Sequence, residues 1–159
     1  MSSTGLEVFD KTLQTTHIWL DEIMAELGPD RQRAYHALRA VLHALRDRLP
    51  LNLAAHLGAQ LPLLVRGAYY DSWHPQPATS RERKQEEFLE HVAAGLQGTR
   101  PIDVKDATRV VLGVITRHVT AGQVEKVRQA LPKDILALWP EVSEPERAAD
   151  RTAAAASGQ

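Results

Sequence analysis

The chain has no cysteine in its 159 residues. That excludes disulfides, thiolate metal sites and a cysteine nucleophile. Aromatics are scarce, with three tryptophans, three tyrosines and two phenylalanines, so any place where they gather carries information. Neither sign of charge dominates: the formal net charge is -1 and the pI about 6.7. This disfavours a mainly electrostatic nucleic-acid binder and a basic membrane-surface helix. No apolar run approaches the roughly 18 to 20 residues needed to span a bilayer. The N-terminal MSSTGLEVFDK lacks a basic region followed by an apolar stretch, so no signal peptide is expected. The P-loop, the Gly-x-Gly-x-x-Gly turn and the Gly-x-Ser-x-Gly elbow are also missing.

What remains is an ordinary globular composition, 43% hydrophobic and 25% charged, enough for one domain with a substantial core. The expectation is a soluble, cytoplasmic protein. Residues 6 to 27 read as an amphipathic helix, with Phe9, Leu13, Leu20, Ile23, Met24 and Leu27 on one face and Lys11, Gln14, Asp21 and Glu22 on the other. Gly28-Pro29 ends it. Residues 30 to 48 form a second helix with Asp30 at its start. Leu38, Val41, Leu42, Leu45 and Leu49 make its apolar face, and Ala37, Ala40 and Ala44 a ridge of small residues. Two shorter helices follow at about 51 to 60 and 62 to 71, with Pro62 in a first turn. Residues 74 to 87 begin as a Pro-rich connector, whose charged end starts the next helix.

The second half restates the first. At an offset of 70, Ala37 aligns with Ala107, Arg39 with Arg109, Val41 with Val111, Leu42 with Leu112 and Leu61-Pro62 with Leu131-Pro132. Upstream, at an offset of 69, Trp19 aligns with Phe88, Leu20 with Leu89, Ile23 with Val92 and Leu27 with Leu96. The predicted fold is therefore all-α, one domain over 1–140 made of two related multi-helix repeats packed pseudo-symmetrically, about 6–73 and 84–140. The helix at 106 to 119 is apolar over most of its surface, which places it centrally or at a subunit contact. Residues 141–159 hold no large apolar residue except Val142 and are expected to be a disordered tail.

The segments WLDEIMAELG, AYHALRAVLHALRDRLP and AAHLGAQLPLLVRGAYYDSWHP, with VVLGVITRHVTAGQVEKVRQALPKDILALW in the second half, resemble a bacterial family known as domain of unknown function 2267. The resemblance spans about residues 6 to 140. It implies an all-helical bacterial protein and brings no activity and no catalytic residues with it.

Seven histidines raise the question of a metal. The di-iron bundle signature needs Glu-x-x-His, and no histidine here has Glu three residues before it. Glu87 with His91, and His17 with Asp21, stand at i, i+4 and could each offer two ligands, too few for a site. His36 and His43 are two turns apart, about 10.5 Å along the axis, and read as solvated or rim residues beside Asp47. No metal, cofactor or catalytic set is expected. Arg46-Asp47-Arg48 could bind an anion, but arginines at a helix C-terminus are favoured by its dipole and pair locally with aspartate. Arg39 and Arg109 recur at one repeat position and read as structural pairing residues.

Three of the eight aromatics fall in residues 69 to 73. Tyr69 aligns with Trp139, and both read as core plugs. Tyr70, Asp71, Trp73 and His74 have no good counterpart and sit where the first copy hands over to the second. They read as a structural anchor across the seam or as a ligand or partner surface formed by Arg66, Tyr70, Trp73, His74, Arg46 and His43. The leading expectation is a non-catalytic interaction or oligomerisation module with a protein partner or self-association. The alternative is a small-ligand or metal-binding protein, possibly an enzyme, with its pocket near the aromatic segment. A DNA-binding regulator, suggested by helix-turn-helix-like stretches at Asn52 to Gln60 and 120 to 136, is disfavoured because no basic face accompanies them.

Overall fold

The computed structural model describes residues 3–75 and 81–141. All of the expected tail at 141–159 except Glu141, and part of the Pro-rich connector, lie outside these residues. Among the described residues the chain is all-helical, in eight helices and no strand: α1 Glu7–Leu27, α2 Arg31–Arg48, α3 Leu51–Gln60, α4 Leu63–Tyr70, α5 Gln85–Gly95, α6 Val104–His118, α7 Ala121–Ala130 and α8 Lys133–Leu136.

Their ends follow from local chemistry. Gly28, at φ 107°, stops α1 in a conformation that L side chains rarely adopt. Asp30 and Asp103 cap α2 and α6 by accepting from the N–H groups of Arg33 and Asp106. Pro50, Pro62 and Pro132 immediately precede α3, α4 and α8. α3 and α7 begin 70 residues apart, at Leu51 and Ala121, as do α4 and α8, at Leu63 and Lys133.

Packing is organised around α2, which touches α1, α4, α5 and α6. Its buried residues run almost all round: Ala34, Ala37, Leu38, Ala40, Val41, Leu42, Ala44, Leu45 and Arg46. The alanines let neighbours close in. A Cβ placed on Gly95 of α5 would stand 3.0 Å from the Cβ of Ala40, so the α2–α5 crossing depends on a small residue on each side. α6 buries Ala107, Thr108, Val111, Leu112, Val114 and Ile115 against α1, α2, α5 and α7. Of the two places expected for it, it takes the central one.

α1 corrects its expectation in one respect. Trp19, Leu20 and Ile23 are buried, and Met24 and Leu27 pack against the core, but Phe9 is 47% exposed. Periodicity identifies a helix face and says nothing about where along the helix a neighbour ends. Among the described residues, no helix is long and apolar enough to cross a membrane.

Candidate functional site

Near its end α2 carries Arg46, 5% exposed and the only buried charged residue among the described residues. One terminal nitrogen of its guanidinium donates to the carbonyls of Tyr69 at 2.9 Å and Asp71 at 3.0 Å, at the end of α4. Its Nε donates to Asp47 Oδ1 at 2.8 Å. A buried cation is tolerable only when its donors are matched this closely. It also complements the negative end of α4. Burial alone would raise the Asp47 carboxyl, but hydrogen bonds from His91 and Arg46 outweigh it and hold the group below the usual carboxylate range.

Arg46, His43, Arg66, Tyr70 and Trp73 gather here, and most of their polar atoms are engaged by the protein's own backbone. Arg66 donates to the carbonyls of Gly58, Ala59 and Leu61, closing the end of α3. His43 is not a solvated rim histidine: its Nε2–H donates to the carbonyl of Ala68 at 2.7 Å, and burial pushes its pKa below the ordinary value. Tyr69 is fully buried and donates to the carbonyl of Ala54 at 2.6 Å; burial raises its hydroxyl well above the usual range. Tyr70 reaches the carbonyl of Ala55 and stacks on Trp73 at 5.4 Å between ring centroids. Gly58 makes this possible, because a Cβ there would stand 2.2 Å from the Tyr70 hydroxyl. Arg39 pairs with Asp71 at 2.9 Å, whereas Arg109, its repeat partner, is exposed beside Glu26 and Asp106. His74 is exposed.

A second polar group, which sequence reasoning missed, adjoins the first. His91 of α5 lies between two carboxylates: Nδ1 is 2.8 Å from Glu82 Oε1 and Nε2 is 3.3 Å from Asp47 Oδ2. The hydrogen bond to Asp47, with that to Glu82, pushes its pKa up to about 9. Arg48 donates from Nε to the Glu82 carbonyl. Glu87, at i, i+4 to His91, instead accepts from the backbone N–H of Lys84 at 3.1 Å. Glu82 lies in a stretch without periodicity, so nothing in the sequence marked it.

The α1–α6 seam carries the counterpart. Glu22 faces Arg117 at 3.7 Å and accepts from His118, whose ring stacks on Trp19 at 5.1 Å. The repeat alignment equates Glu22 with His91 and Asp47 with Arg117, so the two seams carry an acid and a base in reversed order. Arg46 aligns with Thr116, which accepts from the indole N–H of Trp139 at 2.7 Å.

Between α1, α2 and α4 an open apolar groove of about 470 Å³ is lined by Leu13, Leu20, Tyr35, Leu38, Leu64 and Val65, among others. The large hydrophobics left exposed among the described residues are Leu6, Val8, Phe9, Ile18, Tyr35, Leu51, Leu63 and Leu64. All belong to the first half. Ile18, Tyr35, Leu51, Leu63 and Leu64 align with Glu87, Lys105, Ala121, Lys133 and Asp134. Leu64 donates its N–H to Thr12 Oγ1, which sets α4 beside the first turns of α1, where Val8 and Phe9 stand. In the second half Asp134 instead accepts from the N–H of Gln85 at 2.7 Å, joining α8 to the start of α5.

Among the described residues no group of three His, Asp or Glu side chains is placed to hold a metal ion. A family model described as Uncharacterized conserved protein (DUF2267) matches residues 16–138. No curated protein matches the chain.

Proposed function

The chain belongs to the DUF2267 family, and from that premise we propose that it is a non-catalytic self-association module of two related helical halves, with its contact surface on the first. One observation carries this reading: the exposed large hydrophobics lie on α1 to α4 and the turn before α1, and the second-half positions aligned with Ile18, Tyr35, Leu51, Leu63 and Leu64 are charged or small. Scattered apolar residues on a surface need no explanation. A one-sided distribution, two of whose members (Tyr35 and Leu64) line an apolar groove, is the pattern of an interaction site. The α6 helix, the first candidate from sequence, is spent on the core.

The reading of Tyr70, Trp73, Arg66, Arg46 and His43 as a ligand site draws less support. Both tyrosine hydroxyls, both guanidinium groups and His43 Nε2 already have partners within the chain. Their arrangement suits an anchor that fixes α3 and α4 on α2.

Sedimentation velocity over a wide concentration range tests the proposal. The expected result is a concentration-dependent rise in mass that Tyr35→Lys abolishes while circular dichroism stays unchanged. A monomer at every concentration refutes it.

A further inference from the structure

His91 has a carboxylate against each ring nitrogen, Glu82 Oε1 2.8 Å from Nδ1 and Asp47 Oδ2 3.3 Å from Nε2. A neutral imidazole has one N–H and one lone pair, so it can satisfy only one of them; the other carboxylate then faces a lone pair. Only the imidazolium donates to both. The two carboxylates also belong to different parts of the fold. Asp47 is in the last turn of α2, held by Arg46. Glu82 is in the strap of residues 81–84 that leads into α5, and its backbone carbonyl accepts from Arg48.

We propose that His91 is a proton-held clasp: the doubly protonated ring fastens the strap at 81–84 to the end of α2, and loss of one proton releases one side of it. The charged surroundings are consistent with this on every side. α2 supplies Asp47, with Arg46 and Arg48 behind it. On α5 itself Glu87 is engaged with the backbone N–H groups of Arg83 and Lys84. α8 supplies Asp134, which bonds Gln85 rather than the ring. α6 turns apolar residues and Thr108 inward, and its charged side chains lie exposed.

The direction of the pH effect follows from linkage. The folded-state pKa of about 9 lies above the ordinary value of 6.5. The clasp's stabilisation is therefore fully present below 6.5 and is lost as pH rises through about 9. The opposite limit is set by Asp47, whose lowered pKa means that its contribution is present above the ordinary value of 3.8 and lost as pH falls through the folded value.

Carbon-detected NMR of the full chain between pH 5 and 11, following the His91 ring together with the backbone carbons of Glu82, Arg83 and Lys84, tests the clasp. The expected result is a shared midpoint near 9 in the wild type. In Glu82→Gln, the fold should persist and the ring midpoint should move toward 6.5. A wild-type ring that titrates near 6.5, or one that titrates near 9 with strap carbons unmoved, overturns the proposal. As a second readout, His91→Gln should lower the urea midpoint of unfolding near pH 6, and this deficit should vanish above pH 9. A deficit of constant size across that range also overturns it.

Discussion

The two halves of this protein carry closely similar cores and unlike surroundings. Val41, Leu42, Leu61 and Val65 in the first half, and Val111, Leu112, Leu131 and Ile135 at the aligned positions in the second, are all buried. Around that common centre the first half uses a buried guanidinium, a glycine under a tyrosine ring and a half-buried histidine. The second half has Thr116, Arg128 and Gly113 at those positions. Outside, the first half exposes leucines where the second has Lys133 and Asp134. Burial constrains the interior of both halves alike, whereas the polar devices and the surface are free to diverge.

Substitutions that act on one half and spare the other test this difference. The largest effect is expected at Arg46. Arg46→Ala strands the carbonyls of Tyr69 and Asp71 and removes one of the two partners named for Asp47, costing about 3 kcal/mol. Thr116→Val at the aligned position loses a single acceptor for the Trp139 indole and should cost about 1 kcal/mol. Urea unfolding measures both, and equal costs would erase the asymmetry. Next is Gly58→Ala, which drives a Cβ into the Tyr70 ring and off its stacking partner, for about 2 kcal/mol. Arg128→Ala should stay within about 0.5 kcal/mol, because Arg128 occupies no such crossing.

Two histidines sharpen the comparison through pH. His43 is held neutral by burial below the ordinary value of 6.5, so its contribution is present above 6.5 and fades as pH falls through the folded value. His91 has the opposite sign and fades as pH rises toward about 9. Stability should therefore decline on both sides of a plateau around pH 6.5. In His43→Leu the acid-side decline should become shallower and the alkaline side stay unchanged; thermal denaturation across the pH range reads this. The smallest effect on folding is expected for Leu64→Asp, within about 0.5 kcal/mol, since the side chain is already 46% exposed.

Most of the fold was legible before any coordinates. Gly28-Pro29, Pro50 and the two Leu-Pro pairs punctuate the helices because each acts locally, through φ or a missing N–H. The alanine ridge on α2 announced a close crossing, and Gly95 supplies the other side of it. Phe9 keeps the periodicity of the apolar face yet is exposed, because a helix can outrun its neighbour. The polar clusters were legible only in part. Arg46 and Asp47 drew attention as neighbours in sequence. Glu82 and His91 meet Asp47 only through the α2–α5 crossing, which no local pattern encodes. The sequence marks Tyr70 and Trp73 only as residues without a counterpart in the second half; their stacking, and the α3 carbonyls that satisfy the tyrosines, are set by tertiary packing.

The central claim is that the apolar first-half surface is where copies of the chain meet. Static light scattering at a series of concentrations, on the wild type and on a variant carrying Leu63→Lys with Leu64→Asp, addresses it most directly, because the exchange gives the first half the two residues its own second half already carries. The account predicts a mass above the 17.6 kDa monomer for the wild type at high concentration and the monomer mass for the variant. The same mass for both, whether monomer or oligomer, would contradict it.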